Sequence, residues 1–324
     1  MATEYHGRLL HPLREMSSSF PAYFESKKDP KNDRLNEIKS SWQPGINYKE
    51  LFEMALEPNN KILIPLSFGN YSHPVLRDIP FCEQVSKGQY GGKIALLHEV
   101  PYFSLEGYQP TADLILCRSR LEAELFPNND TVIIGDSSLD QIEACQTGDG
   151  IGLFVVTAGS RIKDSQRIWT KALAELDSAL GDNLISSKTI YVSDHPSQLA
   201  NKTESLLPLI SALAERHNLT VEVLQNGTSV ESIAKRIKYA FVQESISTHL
   251  TLRRLGVESF YFGFITGDPG KHEVALLQAA AAPSYSITDS NRSTLNESYN
   301  AWIAETFLLD GKTDRRIRVA MREL

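Results

Sequence analysis

The sequence predicts an α/β chain of two domains, each a Rossmann-like, doubly wound parallel sheet, with a ligand cleft between them. Three observations lead there. Short apolar runs recur from Lys61 onward without the alternation of half-exposed strands, which is how strands buried on both faces read. Stretches with helical spacing lie between these runs, and strand, helix, strand at such distances implies a right-handed parallel crossover. The length of 324 residues suits two domains rather than one.

Residues 1–58 read as a polar, partly helical extension. In it SKKDPKNDR forms an exposed loop and YKELFEMAL a short helix. The first domain, 59–146, has strands in KILIPLSFG, GKIALLHEV, ADLILCRS and DTVIIGDSS, with a helix in RSRLEAELF. CQTGDG is the expected hinge. In the second domain, 147–270, strands IGLFVV, KTIYVS, LTVEVL, AFVQE and SFYFGF alternate with helices WTKALAELDSAL, ESLLPLISALAERH, SVESIAKRIKY and STHLTLRRLG. Ser229 is the expected N-cap of the third helix and Gly256 closes the fourth. Residues 271–324 form a helical tail that packs back, with one helix in NAWIAETFLL.

Composition narrows the function. Hydrophobic residues make up 41% and charged residues 23%, values of a globular chain. A formal net charge of -7 argues against nucleic-acid binding, which needs a basic face. Cys82, Cys117 and Cys145 show no metal-type or disulfide spacing, and Cys117 reads as a small buried hydrophobe. The sequence has no signal peptide and no membrane span, so the expected location is cytoplasmic.

In open α/β sheets ligands bind beyond the carboxyl ends of the strands. After IGLFVV stand Gly159, Ser160 and Arg161, either a tight turn with a surface arginine or small residues and a cation around a phosphate. After KTIYVS stand His195 and Pro196, where proline fixes the direction of an imidazole that can donate to an anion. After AFVQE stand Ser245, Ser247 and Thr248 at a helix start, more hydroxyls than a single N-cap requires. The first domain offers Ser67, Asn70 and His73 after its first strand, and His98 with Glu99 as a general-base pair or an ordinary polar strand exit. After the fourth strand Asp136 is expected to cap the turn, and Asp140 either binds a ligand or starts a helix. No P-loop and no GxGxxG occurs, which disfavours triphosphate hydrolysis and nicotinamide binding.

Over roughly residues 60–265 these features resemble GT-B-fold glycosyltransferases. The similarity is to surface-carbohydrate and CDP-glycerol-type polymerases, to CMP-sialic acid and Kdo transferases, and to the related UDP-GlcNAc 2-epimerases. VIIGDSSLD looks like the V-x-G-x-x-x-x-D pattern that closes the first domain of such proteins. His195-Pro196 looks like their donor-binding HP motif, and Ser245, Ser247 and Thr248 like their serine-rich phosphate motif. Thr251 and Leu252 stand where these families often carry Glu-Ala, a departure that removes the carboxylate gripping a donor ribose. No D-x-D triplet occurs, in keeping with a metal-independent site and no cofactor.

The resemblance implies transfer of a sugar or polyol phosphate from a CMP-, CDP- or UDP-linked donor to a hydroxyl acceptor in surface polysaccharide or glycan synthesis. The donor site comprises Gly159, Ser160, Arg161, His195, Pro196, Ser245, Ser247 and Thr248. The base is His98 or Glu99, and the acceptor, a glycan or lipid-linked molecule, meets Ser67, Asn70 and His73. Peripheral membrane association and a homo-oligomer are both compatible with such an enzyme. Two alternatives stay open: a nucleotide-sugar epimerase, and a non-catalytic GT-B-like binding or scaffold module.

Overall fold

The structure is a computed structural model. It describes residues 57, 59–66, 91–98, 112–124, 126–155, 162–194, 206–225, 228–243, 246–262 and 285–324. The chain separates into two compact units. One holds the sheet that follows Ile142 and the tail as far as Ile303; the other holds the earlier sheet and the tail from Ala304.

In the earlier unit, β1 (Lys61–Leu66), β2 (Lys93–His98), β3 (Leu114–Cys117) and β4 (Thr131–Ile133) form a parallel sheet in chain order. One face carries Ala95, Leu97, Leu114, Leu116 and Ile134. It packs against Ile317, Ala320 and Met321 of a C-terminal helix, α8 (Thr313–Glu323). RSRLEAELF yields only one helical turn, α1 (Arg120–Ala123), capped by Ser119, because Phe126 turns into the core and Pro127 follows it. Among its described residues the tail holds two helices, one more than expected. They are α7 (Arg292–Thr306) and α8, whose inward residues Thr313, Ile317, Ala320 and Met321 are separated by charged outward ones that mask the pattern.

VIIGDSSLD turns out to clasp this tail. Gly135, two residues beyond β4, takes φ +91, and a Cβ there would lie 2.9–3.1 Å from Thr313 Oγ1 and the carbonyls of Phe307 and Leu308. Asp136 caps the short helix α2 (Ser137–Asp140), accepting from the amides of Ser138 and Leu139, and pairs at 3.5 Å with the buried Arg118. Asp140 accepts from the Gly311 amide at 2.8 Å and the Thr313 hydroxyl at 3.1 Å. The glycine and the second aspartate of the motif thus fix the start of α8.

The later unit carries β5 (Gly150–Val155), β6 (Thr189–Asp194), β7 (Thr220–Val223), β8 (Ile237–Gln243) and β9 (Glu258–Phe262), all parallel, in the order β7-β6-β5-β8-β9. The chain winds outward from β5 through β6 to β7, then returns to β8 and β9 on the other side, as a doubly wound sheet does. Helices α3 (Ile162–Gly181) and α4 (Leu207–Arg216) cover the face of Ile151, Leu153, Ile190, Val192 and Phe241. Helices α5 (Val230–Ala234) and α6 (Ile246–Arg254) complete the crossovers to β8 and β9. Ser229 caps α5, and Gly256 at φ +95 lets the chain leave α6.

One boundary differs markedly from expectation. The helix expected over residues 229–239 ends at Ala234, and β8 has begun by Ile237. A register shift between Gly150 and Ile151 puts a bulge at the exposed Lys238, so Ile237 and Tyr239 pair with successive residues of β5. The bulge breaks strand alternation and leaves Ile233 and Ile237 at a helix-like separation. Among the described residues no helix is long and apolar enough to cross a membrane.

The clasp at Gly135 makes a differential prediction. Gly311 also has positive φ, at +73, but a Cβ there meets nothing within 4 Å. Gly135→Ala should lower unfolding stability in urea by roughly 2–3 kcal/mol and Gly311→Ala by only about 1 kcal/mol. Equal losses would mean that the tail is not held through Gly135.

Candidate functional site

The strand order places the topological switch point of the later sheet between β5 and β8, because the chain leaves β5 on one side and returns on the other. The carboxyl end of β8 leads almost directly into α6. The first turn of a helix has backbone N–H groups without intrahelical partners, and the aligned peptide dipoles make it positive. No acidic residue occupies this first turn. Ser247 is half-buried and Thr248 buried there. Amides and hydroxyls without carboxylates, at a switch point, suit an anion such as a phosphate or diphosphate.

Two buried interactions fix the elements that meet here, one at the end of β8 and one at the far end of α6. At the last residue of β8, the Gln243 side-chain carbonyl accepts from Trp169 Nε1 at 2.6 Å, and both residues are fully buried. A buried indole N–H requires an acceptor, and this one ties α3 to the end of the strand beside the switch point. The second interaction lies at the other end of α6. Arg253, 6% exposed, uses all five of its N–H donors. They reach the Ser259 carbonyl from Nε at 3.0 Å and Nη2 at 2.7 Å, Tyr285 Oη at 2.6 Å, and the side-chain carbonyls of Asn296 at 2.6 Å and Asn300 at 3.2 Å. Its guanidinium also stacks on the ring of Tyr299 at 4.2 Å.

One turn earlier, His249 lies fully buried between Ser259 Oγ, 2.9 Å from Nδ1, and Tyr299 Oη, 3.0 Å from Nε2. Burial, and then the positive charge of Arg253, hold its pKa well below the ordinary value, so the ring is neutral. Burial likewise pushes the Tyr285 and Tyr299 hydroxyls up to about 12. Burial raises the pKa of Glu258 despite its 3.3 Å pair with Arg292. This buried network attaches α6 to β9 and α7.

Of the residues singled out in the sequence, Ser247 and Thr248 are described, together at the start of α6. The backbone of His98 ends β2, in register with Leu66. Ser67, Asn70, His73, Glu99, Gly159, Ser160, Arg161, His195, Pro196 and Ser245 lie outside the described residues. Thr251 and Leu252, where a ribose-gripping carboxylate was missed, are both buried. Trp169, Gln243, His249 and Arg253 escaped the sequence reading. The one signal was the unusual presence of a glutamine closing an otherwise apolar run. Among the described residues no group of three His, Cys, Asp or Glu side chains is placed to hold a metal ion.

No protein-family model matches the chain, and no curated protein does. Solved structures do. A putative UDP-N-acetylglucosamine 2-epimerase from Listeria monocytogenes aligns over 99% of this chain and 93% of its own, with 12% identity and a TM-score of 0.50. MurG from Acinetobacter baumannii aligns over 99% and 96%, with 9% identity and a TM-score of 0.50. The structure of accessory secretory protein 1, 2 and 3 in Streptococcus pneumoniae gives 11% identity and a TM-score of 0.44 over 86% of this chain. The chain spans only 57% of the length of that protein. The likeness to the first two is one of fold: two Rossmann-like α/β units of the GT-B type, as the sequence led us to expect.

The neutral state of His249 can be tested through pH. Its folded pKa lies below the ordinary value of 6.5, so protons bind the unfolded chain first. The stability it contributes is complete above pH 6.5 and is lost as pH falls. Between pH 7.5 and 5.5 the wild type should lose up to about 1.4 kcal/mol that His249→Gln does not lose, measured by urea unfolding at both values. An identical pH dependence in the two proteins would contradict a buried neutral ring.

Proposed function

We propose that the chain transfers a sugar or polyol phosphate from a nucleotide-activated donor to a hydroxyl acceptor in surface polysaccharide or glycan synthesis. The observation that carries this reading is the start of α6, with Ser247 and Thr248, at the β5/β8 switch point of a GT-B-type fold. In this reading the donor phosphate lies against the first-turn amides of α6. Ser245, Ser247, Thr248 and His195 donate to it, and Gly159, Ser160, Arg161 and Pro196 shape the adjoining strand ends. His98 or Glu99 deprotonates the acceptor hydroxyl, and Ser67, Asn70 and His73 orient it.

As the bond to the phosphate breaks, negative charge accumulates on the departing nucleotide. Preorganised amides, hydroxyls and an imidazole stabilise that charge without reorganising, and this is the largest catalytic contribution the arrangement offers. The buried Thr251 and Leu252 supply no carboxylate, which favours transfer over epimerisation of a nucleotide sugar. A CMP-, CDP- or UDP-linked donor fits the reading, since a helix N-terminus recognises phosphate rather than base.

Thermal unfolding with CMP, CDP, UDP and GDP tests the reading directly. At 100 times its Kd the matching nucleotide should add about 2.7 kcal/mol of stability. Ser247→Ala and His195→Ala should weaken that effect and lower turnover with the matching donor by about 100- to 1000-fold. Stabilisation by none of the four nucleotides would refute a donor site. A shift without transfer to any hydroxyl acceptor would leave a binding module.

A further inference from the structure

The two strands that flank the switch point send their crossover helices to opposite faces of the sheet, α3 from β5 and α6 from β8. A ligand seated at the switch point therefore meets the starts of both helices, and their separation decides whether it can touch both at once. One buried hydrogen bond spans that separation. Alternation along β8 puts Gln243 on the face of Tyr239 and Phe241, the face that α3 covers. There its side-chain carbonyl accepts from Trp169 Nε1 at 2.6 Å.

Trp169 lies about 10 Å along the axis from the start of α3 at Ile162. The far half of the helix is held separately. Glu175 accepts from Ser286 Oγ at 3.0 Å, and Asp177 pairs with His217 at 2.6 Å and with Arg216 at 2.9 Å. A helix is stiff over so short a length, so the indole sets where its near end stands beside β8. Apolar packing is without direction, whereas a hydrogen bond has both a length and an angle. A leucine at position 243 would suit the surrounding apolar face. Burying a carboxamide there costs free energy that only its hydrogen bonds recover, so the glutamine contributes geometry more than stability.

We propose that Trp169 is a positioning residue for the donor site, holding the start of α3 against the end of β8 through Gln243 so that both walls of the switch point close on one phosphate-bearing ligand. The inference rests on the donor-site reading above. Neither side chain needs to touch the ligand. A misplacement of about 1 Å between groups that must act together can cost up to about a hundredfold. Loss of this one tie, with the rest of α3 still packed, should therefore weaken nucleotide binding by about tenfold.

The test is titration calorimetry of the full chain with CMP, CDP, UDP and GDP, well below the unfolding midpoint. Trp169→Phe keeps an aromatic ring but cannot donate, and the Kd of whichever nucleotide binds the wild type should rise about tenfold. Adding Gln243→Leu removes the other end of the hydrogen bond, so no buried carboxamide is left short of its indole donor. Much of the unfolding midpoint lost in Trp169→Phe should then return. The Kd of this double variant should stay weak, because the direction is still missing. Recovery of affinity together with the midpoint would show a merely structural role and overturn the proposal, as would an unchanged Kd in Trp169→Phe. Binding of none of the four nucleotides to the wild type would remove the donor site itself. That failure is distinct from failure of the pair, since it shows before any substitution is made.

Discussion

A single buried guanidinium sets the position of the helix on which the candidate site depends. Arg253 ends α6, and its five hydrogen bonds run to β9, to Tyr285 and to two asparagines of α7. Removing a charge from water is costly unless every donor is satisfied, and here every donor is. Its partners are neutral oxygens and aromatic faces, so the geometry is set by direction rather than by attraction to one counter-ion. Two of its bonds converge on the Ser259 carbonyl of the last strand in the sheet order, which also occupies a group that an edge strand leaves open. The same charge helps hold His249 neutral, which keeps that ring available to Ser259 and Tyr299. A cation in the last helical turn also complements the helix dipole.

With its far end fixed in this way, α6 presents its near end to the switch point. Trp169 and Gln243 fix the neighbouring strand end, so both walls at β8 are set before any ligand arrives. Preorganisation of this kind makes oriented amides effective toward developing charge, since no dipole has to turn during the reaction. The absence of an acidic residue in the first turn matters equally: a carboxylate there would compete for the first-turn amides and repel a phosphate.

Much of this was legible in the sequence, and the rest was hidden for identifiable reasons. The five strands of the later sheet stand out as apolar runs, buried on both faces in β5 and most of β8, while β7 at the edge is partly exposed. The start of β8 was concealed by the bulge at Lys238, which mimics helical spacing. The second tail helix was concealed because charged residues surround its few inward ones. The motif ending in Asp140 was visible as a pattern, but its contact with Gly311 and Thr313 joins positions far apart in the chain, and no local period encodes that. The same holds for Trp169 with Gln243 and for His249 with Tyr299. Hydroxyls at a strand-to-helix junction, by contrast, are a local feature, and Ser247 and Thr248 were readable for that reason.

The most direct measurement is a crystal structure of the full chain with whichever pyrimidine nucleotide stabilises it most. The account predicts phosphate density within hydrogen-bonding distance of the Ser247 and Thr248 amides, beside the carboxyl ends of β5 and β8. Nucleotide bound elsewhere, with the first turn of α6 facing solvent alone, would contradict it.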